Sequence, residues 1–193
     1  MRSTKLRIAR NLDRQFAEMG FATQGVEALR EGADVSLRTL YKYFPSREEM
    51  VVGALEYRDA AYFDWISGGP ADGIDHVLYP LKRLGDWLEE VANTGCLFMN
   101  ALAAYPESPA IRKTVLSHKS RLENAFRERL HHVAPDRDTG ELAQSLFLLH
   151  EGLTETARLR GPAEATATAI RAARALLASE GLLPAKDDPA LEG

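Results

Sequence analysis

The side chains of this sequence that could take part in chemistry are concentrated in one short stretch, VSLRTLYKYFPSREEM, which runs from Val35 to Met50. Its centre interleaves the basic residues Arg38 and Lys42 with tyrosines. Arginine and lysine neutralise phosphates or read guanine edges, and tyrosine hydroxyls bond phosphate oxygens. The stretch is therefore typical of contact with a nucleic acid, and its residue types do not indicate a bond-making reaction.

The rest of the chain offers no recognisable catalytic or metal site. The sequence contains neither a phosphate loop nor a nucleophile spaced from a base and an orienting group, so we predict that the protein is not an enzyme. The five histidines lack the two-His helical spacing of a zinc site, and a single cysteine rules out a cysteine-based cluster. We therefore expect no metal and no cofactor.

Cys96 is the one thiol of the chain, and two interpretations of it stay open. The sequence places it near the start of a predicted helix, where the helix dipole can activate a thiolate. The chain could then sense oxidants or electrophiles, which is one alternative function. A free cysteine is otherwise usually a small buried hydrophobe.

Charge divides the sequence into a basic head and an acidic body. Residues 1–47 contain nine lysines and arginines against five acids, a net charge of +4, whereas the whole chain carries −4. A polyanion is therefore expected to touch only this end of the chain. No apolar run approaches the roughly 18 residues that a membrane span requires. Because the N-terminus also lacks the apolar centre of a signal peptide, we expect no membrane association and a cytoplasmic location.

Short helices are predicted to position the basic stretch. A buried face at helical spacing includes Phe16 and ends at Gly20, and Thr23 is a fair N-cap for a second helix. Ser36 is predicted to cap a third, very short helix that ends before Pro45. Two short helices joined by a tight turn in a basic region make a helix-turn-helix, whose second helix fits the major groove of DNA.

The remaining elements also have helical patterns. Ser46 and Glu49 form a capping box for a fourth helix, which is predicted to continue to about Trp65 and to be followed by a breaker-rich linker, 67–73. Pro80 is predicted to kink or divide the fifth helix. The fifth and later helices are predicted over 74–93, 96–105, 109–132, 141–160 and 163–181. No strand pattern is present, so the predicted fold class is all-α.

Three segments, FAEMGF, VSLRTLYKYFPSREEM and GCLFMNALAAYPE, resemble the TetR/AcrR family of tetracycline-repressor-like regulators. The second segment matches the family pattern at Val35, Ser36, Thr39, Leu40, Tyr41, Phe44, Arg47, Glu48 and Glu49. The resemblance implies an N-terminal three-helix helix-turn-helix head over residues 1–48. It also implies a larger helical ligand-binding and dimerisation domain over 49–183, with a flexible tail over 184–193.

Roles in DNA binding follow from the same resemblance, position by position. The residues that it places against DNA are Thr23, Leu37, Arg38, Thr39, Tyr41, Lys42, Tyr43 and Arg47. Arg47 corresponds to a phosphate contact in the first turn of the fourth helix, and Leu37 replaces a common lysine and could meet a thymine methyl group. Tyr41 and Tyr43 could instead seal the core of the head. Asp34 stands where the family has a turn glycine, and aspartate tolerates the left-handed conformation that such a turn needs.

The resemblance further implies a homodimer on a double-stranded DNA operator, formed by the last two long helices. Leucines that could form that seam include Leu142, Leu146, Leu149 and Leu153. It implies a small-molecule effector as well, which we expect to be moderately apolar because no dense charge cluster is present. Candidate effector contacts are Trp87, Phe98, Asn100, Tyr105, His118, Phe126, Phe147, His150 and Glu151. The main prediction is a homodimeric repressor released from a palindromic operator by its ligand; a partner protein of the same fold that no longer binds DNA specifically is the alternative.

Overall fold

A computed structural model describes residues 2–22 and 24–183 of the chain, and all its regular structure in those ranges is α-helical. The helices are α1 (Arg2–Met19), α2 (Val26–Ala33), α3 (Leu37–Tyr43), α4 (Arg47–Trp65), α5 (Gly73–Glu90), α6 (Leu97–Ala104), α7 (Pro109–Val133), α8 (Gly140–Arg160) and α9 (Pro162–Ser179). The predicted all-α class is confirmed. Within the described ranges, no helix combines the length and the apolar character that crossing a bilayer requires.

Local sequence signals set most of the helix boundaries. The Ser36 side chain accepts a hydrogen bond from the Thr39 amide, and Ser46 does the same for Glu49, so both predicted caps are present. Asp34 adopts the left-handed conformation with φ 54°, as predicted for this turn. The second helix departs from the prediction, because its N-cap is Gly25. Thr23, the predicted cap and phosphate contact, lies outside the described residues.

The chain forms two compact units. The first holds the residues up to Trp65 together with Thr94–Ser120, and the second holds Ile66–Asn93 and the chain from Arg121 onward. In the first unit, α1 packs against α2 and α4, and α4 packs against α6. The side chains of these helices and of the start of α7 share one apolar core, which includes Ile8, Leu12, Phe16, Leu29, Leu40, Phe44, Met50, Leu55, Phe98 and Ile111.

The second unit is built on α5, α8 and α9, which pack on one another. Pro80 lies inside α5, which is a single helix and is not divided there. Gly85 allows α9 to approach, because a Cβ at that position would lie 2.5 Å from the Oγ1 atom of Thr166. Arg129 ties the linker before α5 to the start of that helix, because it donates to the carbonyl oxygens of Ile66 at 3.1 Å and Gly68 at 3.0 Å in the linker and of His76 at 2.8 Å in α5.

Candidate nucleic-acid interface

The short helix α3 is anchored by few residues and leaves most of its surface exposed. Leu40 is fully buried and Phe44, its C-cap, is 2% exposed. Gly53 of α4 allows this packing, because a Cβ there would lie only 2.2 Å from the Cε1 atom of Phe44. The amphipathic pattern of seven residues therefore fixes one side of α3 in the core and directs the other side outward.

The exposed side of α3 presents the basic and aromatic residues that the sequence singled out. Arg38 and Lys42 are exposed, and Tyr41 is 40% exposed. The side chain of Tyr43 packs partly against the core, and the Lys42 ammonium lies 5.7 Å from the centroid of its ring. Cationic and hydroxyl donors thus project from one helix that is narrow enough to enter a major groove.

Thr39 and Leu37 are less accessible than these three residues. Both are half-buried, and the Thr39 hydroxyl lies 2.8 Å from that of Ser36 at the helix cap. Their predicted contacts with DNA stay predictions. The geometry ranks Arg38, Tyr41 and Lys42 first among the proposed reading residues.

Arg47 has a different environment from the one expected of a phosphate contact. Its Nη1 donates to the Gln24 carbonyl at 2.5 Å, its Nη2 to the Phe21 carbonyl at 2.6 Å, and its Nε to the Tyr105 hydroxyl at 2.6 Å. All three guanidinium nitrogens are thus directed at oxygens of the same chain. Because the side chain is half-buried and held by these three bonds, its position favours an internal tie in the first unit, and the phosphate contact of Arg47 stays a prediction.

The N-terminal half of α1 contributes basic residues that the sequence analysis counted but did not assign. The Arg7 Nη1 atom lies 3.4 Å from the Asp34 carbonyl oxygen and 3.6 Å from its carboxylate, at the turn before α3. The Lys5 ammonium lies 5.2 Å from the centroid of the Phe44 ring, at the other end of α3. Both cations are exposed beside α3, which we call the reading helix. The excess of basic residues in the head was the signal in the sequence that could have identified them.

A buried ion pair joins α1 to α4 behind this surface. Arg58 donates from Nε and Nη2 to the two carboxylate oxygens of Asp13, at 2.5 and 3.1 Å. Both residues are 8% exposed. Burial raises the pKa of the Asp13 carboxyl, and the hydrogen bond and charge of Arg58 oppose that rise. Sequence periodicity could not identify this pair, because the partners are 45 residues apart.

The proposed effector contacts fall into both units. In the first unit, the rings of Phe98 and His118 stack at 3.7 Å, and the His118 Nδ1 atom lies 2.9 Å from the Asp59 carboxylate. Tyr105 is the C-cap of α6, where its hydroxyl accepts from Arg47. Asn100 is exposed and donates to the Thr94 carbonyl at 3.4 Å, so its position does not favour a buried ligand contact.

The other proposed contacts are in the second unit. Phe126 is fully buried, and its ring meets the ring of His150 edge-on at 6.2 Å. The Glu151 carboxylate lies 3.6 Å from the His150 Nδ1 atom. Trp87 is buried with 9% exposure, and Phe147 is half-buried. These residues supply mixed apolar and polar chemistry, and their roles toward a ligand stay predictions.

Cys96 is the N-cap residue of α6 and is half-buried. The ammonium of Lys119 lies 3.2 Å from its sulfur atom. The expected position at a helix N-terminus is therefore correct. The sensing role proposed from that position stays a hypothesis.

An apolar cleft of about 200 Å³ lies between α8 and α9 in the second unit. It is lined by Leu148, Leu149, Gly152, Leu153, Thr156, Arg160, Glu164, Ala165, Thr168, Ala169 and Ala172. Leu148 is 66% exposed beside it. Three of the predicted seam residues, Leu142, Leu146 and Leu153, are buried within the unit itself, because they pack on its own core. The most exposed leucine of α8 is therefore Leu148, which is not one of the predicted seam residues.

Comparison with known proteins agrees with the helix-turn-helix and with the fold. Residues 12–54 match the family model of the bacterial regulatory proteins of the tetR family. Over 69 residues the chain is 35% identical to the HTH-type transcriptional repressor KstR2 of Mycobacterium tuberculosis. That segment is 36% of this chain and 32% of the relative, so the match spans about a third of the relative's length.

Solved structures extend the similarity of fold to nearly the whole chain. SCO4454, a TetR-family transcriptional regulator from Streptomyces coelicolor, superposes with a TM-score of 0.81 over 93% of this chain and 96% of its own, at 22% identity. The reduced form of E. coli NemR superposes with a TM-score of 0.74 over 91% of this chain and 96% of its own, at 19% identity. Residues 12–54 are thus similar to the helix-turn-helix segment of the tetR family of bacterial regulatory proteins, and nearly the whole chain shares the fold of these solved structures.

Proposed function

We propose that the protein is a transcriptional repressor that binds a palindromic operator as a homodimer and leaves it when a small, moderately apolar molecule binds. The observation that supports DNA binding best is the outward face of α3, on which Arg38, Tyr41 and Lys42 are exposed while Leu40 holds the helix in the core. Cations on a helix that fits the major groove can contact phosphates and base edges together. The basic head on an acidic chain restricts such contacts to this end.

Operator binding is tested by measuring affinity for the DNA flanking the gene, and for selected palindromes, over a range of salt concentrations. Arg38→Ala and Lys42→Ala are each expected to weaken binding, and a variant that loses a phosphate contact should lower the salt slope by about 1. Lys113→Ala is a matched control, because it removes the same charge from an exposed position on α7. If the unaltered protein binds no palindrome at low salt, the alternative of a partner protein without specific DNA binding is favoured.

The dimer is proposed to form around a two-fold axis through the outward faces of α8 and α9. Leu148 and the alanine-rich wall of α9 leave an apolar cleft that a second copy of the same helices can fill. Leu148→Glu is expected to convert the dimer to a monomer in sedimentation equilibrium, since a buried charge opposes association. Leu116→Glu is the control, because Leu116 is similarly exposed, at 59%, but lies on α7. A dimer that survives Leu148→Glu would exclude this face.

Effector release is proposed to involve the aromatic and polar residues of the two clusters described above. A library of small molecules is screened for thermal stabilisation of the protein, because a ligand that binds the native state raises its melting temperature. Each positive compound is then tested for release of the operator. A ligand that stabilises the protein but leaves DNA affinity unchanged would not be an effector, since it would favour neither state over the other.

A further inference from the structure

Arg47 connects three elements of the first unit through one guanidinium group. Its own helix, α4, begins at this residue. Two nitrogens bind the carbonyls of Phe21 and Gln24 in the connection between α1 and α2, and the third binds the hydroxyl of Tyr105 at the end of α6. The planar guanidinium of an arginine can donate to three acceptors in fixed directions, whereas the ammonium of a lysine has no such fixed geometry.

Tyr105 is held in place by its ring as well as by its hydroxyl. The ring meets the ring of Phe21 edge-on at 6.2 Å, and the tyrosine packs partly against the core that contains Leu40 and Phe44 of the reading helix. Phe21 in turn stacks on Phe16 of α1 at 4.7 Å. The Tyr105 side chain therefore meets the connection between α1 and α2 both directly and through Arg47.

A second contact joins the same two regions of the chain. The Ser108 hydroxyl donates to the carboxylate of Glu48, which follows Arg47 in the first turn of α4. The short segment between α6 and α7 thus holds the start of α4 at two neighbouring side chains. Only three residues separate the end of α3 from the start of α4. The position of the first turn of α4 therefore restricts the position of α3.

We propose that Arg47 and Tyr105 are a pair of positioning residues for DNA binding, which together orient the helix-turn-helix relative to α6. The proposal rests on the function proposed above. Arg47 contributes to operator affinity through Tyr105 and the two carbonyls, and not through a bond to a phosphate. In this proposal the hydroxyl of Tyr105, a candidate effector contact, serves instead to position the helix-turn-helix.

The test separates a positioning role from a phosphate contact by using variants that change charge and geometry independently. Arg47→Lys keeps the positive charge but loses the planar fork, and Tyr105→Phe removes one hydroxyl and no charge. Each is expected to weaken operator binding by about tenfold or more, because losing one hydrogen bond to a charged group lowers the population of the competent orientation by about that factor. Neither variant should change the salt slope, because no phosphate contact is lost.

The two variants are also combined, since residues that act through one bond do not act additively. The double variant is expected to bind no more weakly than Arg47→Lys alone. Tyr57→Phe is the matched control, because Tyr57 is another half-buried tyrosine on the same core, and its affinity should stay within about twofold of the unaltered protein. All affinities are measured at temperatures well below each variant's melting temperature, which excludes simple unfolding.

Three outcomes would overturn the proposal. Arg47→Lys could retain full affinity while Arg47→Gln loses it with a salt slope lowered by about 1, which would make Arg47 a phosphate contact. Tyr105→Phe could bind as the unaltered protein does. The losses of the two single variants could also add in the double variant. Failure of the unaltered protein to bind any operator would instead refute the proposed function, and the two failures are distinguished by that measurement.

Discussion

Gly53→Ala is the most direct test of how α3 is held in the head. Gly53 lies in the middle of α4 and is buried. A methyl group there would lie 2.2 Å from the Cε1 atom of Phe44, 3.0 Å from Cζ and 3.1 Å from Cδ1. Carbon atoms in favourable contact are about 3.5 to 4.0 Å apart, so the ring would have to move by more than about 1 Å.

The expected effect is a balance of two opposing contributions. Replacing glycine by alanine inside a helix normally stabilises it by about 1 kcal/mol. Overpacking a filled core costs about 1 to 3 kcal/mol, and a displaced phenylalanine also loses part of its burial, worth up to about 3 kcal/mol. Phe44 is only 2% exposed and has core residues around it, so the ring cannot move without cost. We expect a net destabilisation of about 2 kcal/mol.

The assay is thermal unfolding followed by far-UV circular dichroism, together with operator affinity. For a chain of this size a loss of about 2 kcal/mol lowers the melting temperature by about 4 to 8 °C. Because Phe44 caps the reading helix, operator affinity should fall as well, even at temperatures where the variant is folded.

Gly32→Ala provides a control with the same chemical change in the same unit. The three nearest atoms to a Cβ at Gly32 all belong to the side-chain amide of Gln15, whose flexible end can turn away. Its melting temperature should therefore change little, since the helix gain and the loss of the Gln15 hydrogen bond to Ala28 nearly cancel. A Gly53→Ala protein as stable as the unaltered one, with unchanged affinity, would refute the inference that Phe44 is tightly held.

Two further predictions concern side chains that are buried at a cost. Replacing Asp13 by Asn should lower the free energy of unfolding in urea by about 3 kcal/mol at neutral pH, because the Arg58 guanidinium would stay buried without its carboxylate partner. The double variant Asp13→Leu with Arg58→Met should recover most of that loss, because it removes both buried charges. Arg129→Ala should lower the free energy of unfolding by about 2 to 3 kcal/mol in the same assay, because the carbonyls of Ile66, Gly68 and His76 lose their donor. Arg129→Lys should restore less than half of that loss, and equal stability of Arg129→Lys and the unaltered protein would show that charge alone suffices.

Local sequence was sufficient for the turn before α3 and for the starts of α3 and α4. Ser36 and Ser46 cap the third and fourth helices as predicted because a capping hydroxyl acts on an amide only three residues away. The left-handed turn at Asp34 was predictable for the same reason, since the conformation depends on that residue's own side chain. The start of α2 was predicted wrongly, because glycine and threonine are both acceptable caps and the sequence alone did not distinguish them.

The prediction of function depended on both the sequence and the tertiary structure. The types and spacing of Arg38, Tyr41 and Lys42 indicated DNA, and the fold adds only that these side chains face outward while Leu40 faces the core. For Arg47 the same motif did not predict its three internal hydrogen bonds, because a motif records which residue stands at a position and not which acceptors the fold brings to it. Tyr105 is 58 residues away along the chain, and only packing of α6 on α4 places its hydroxyl within reach.

The sequence by itself therefore determined the helices, the caps of α3 and α4, the basic head and the class of partner, because each follows from residues within a few turns of one another. The tertiary structure decided which charged groups stay available. It buries Asp13 against Arg58, turns Arg47 inward to Tyr105 and leaves Arg38 exposed. The physical reason is that an ion pair or a hydrogen bond between distant residues requires the whole unit to fold before its two partners can meet.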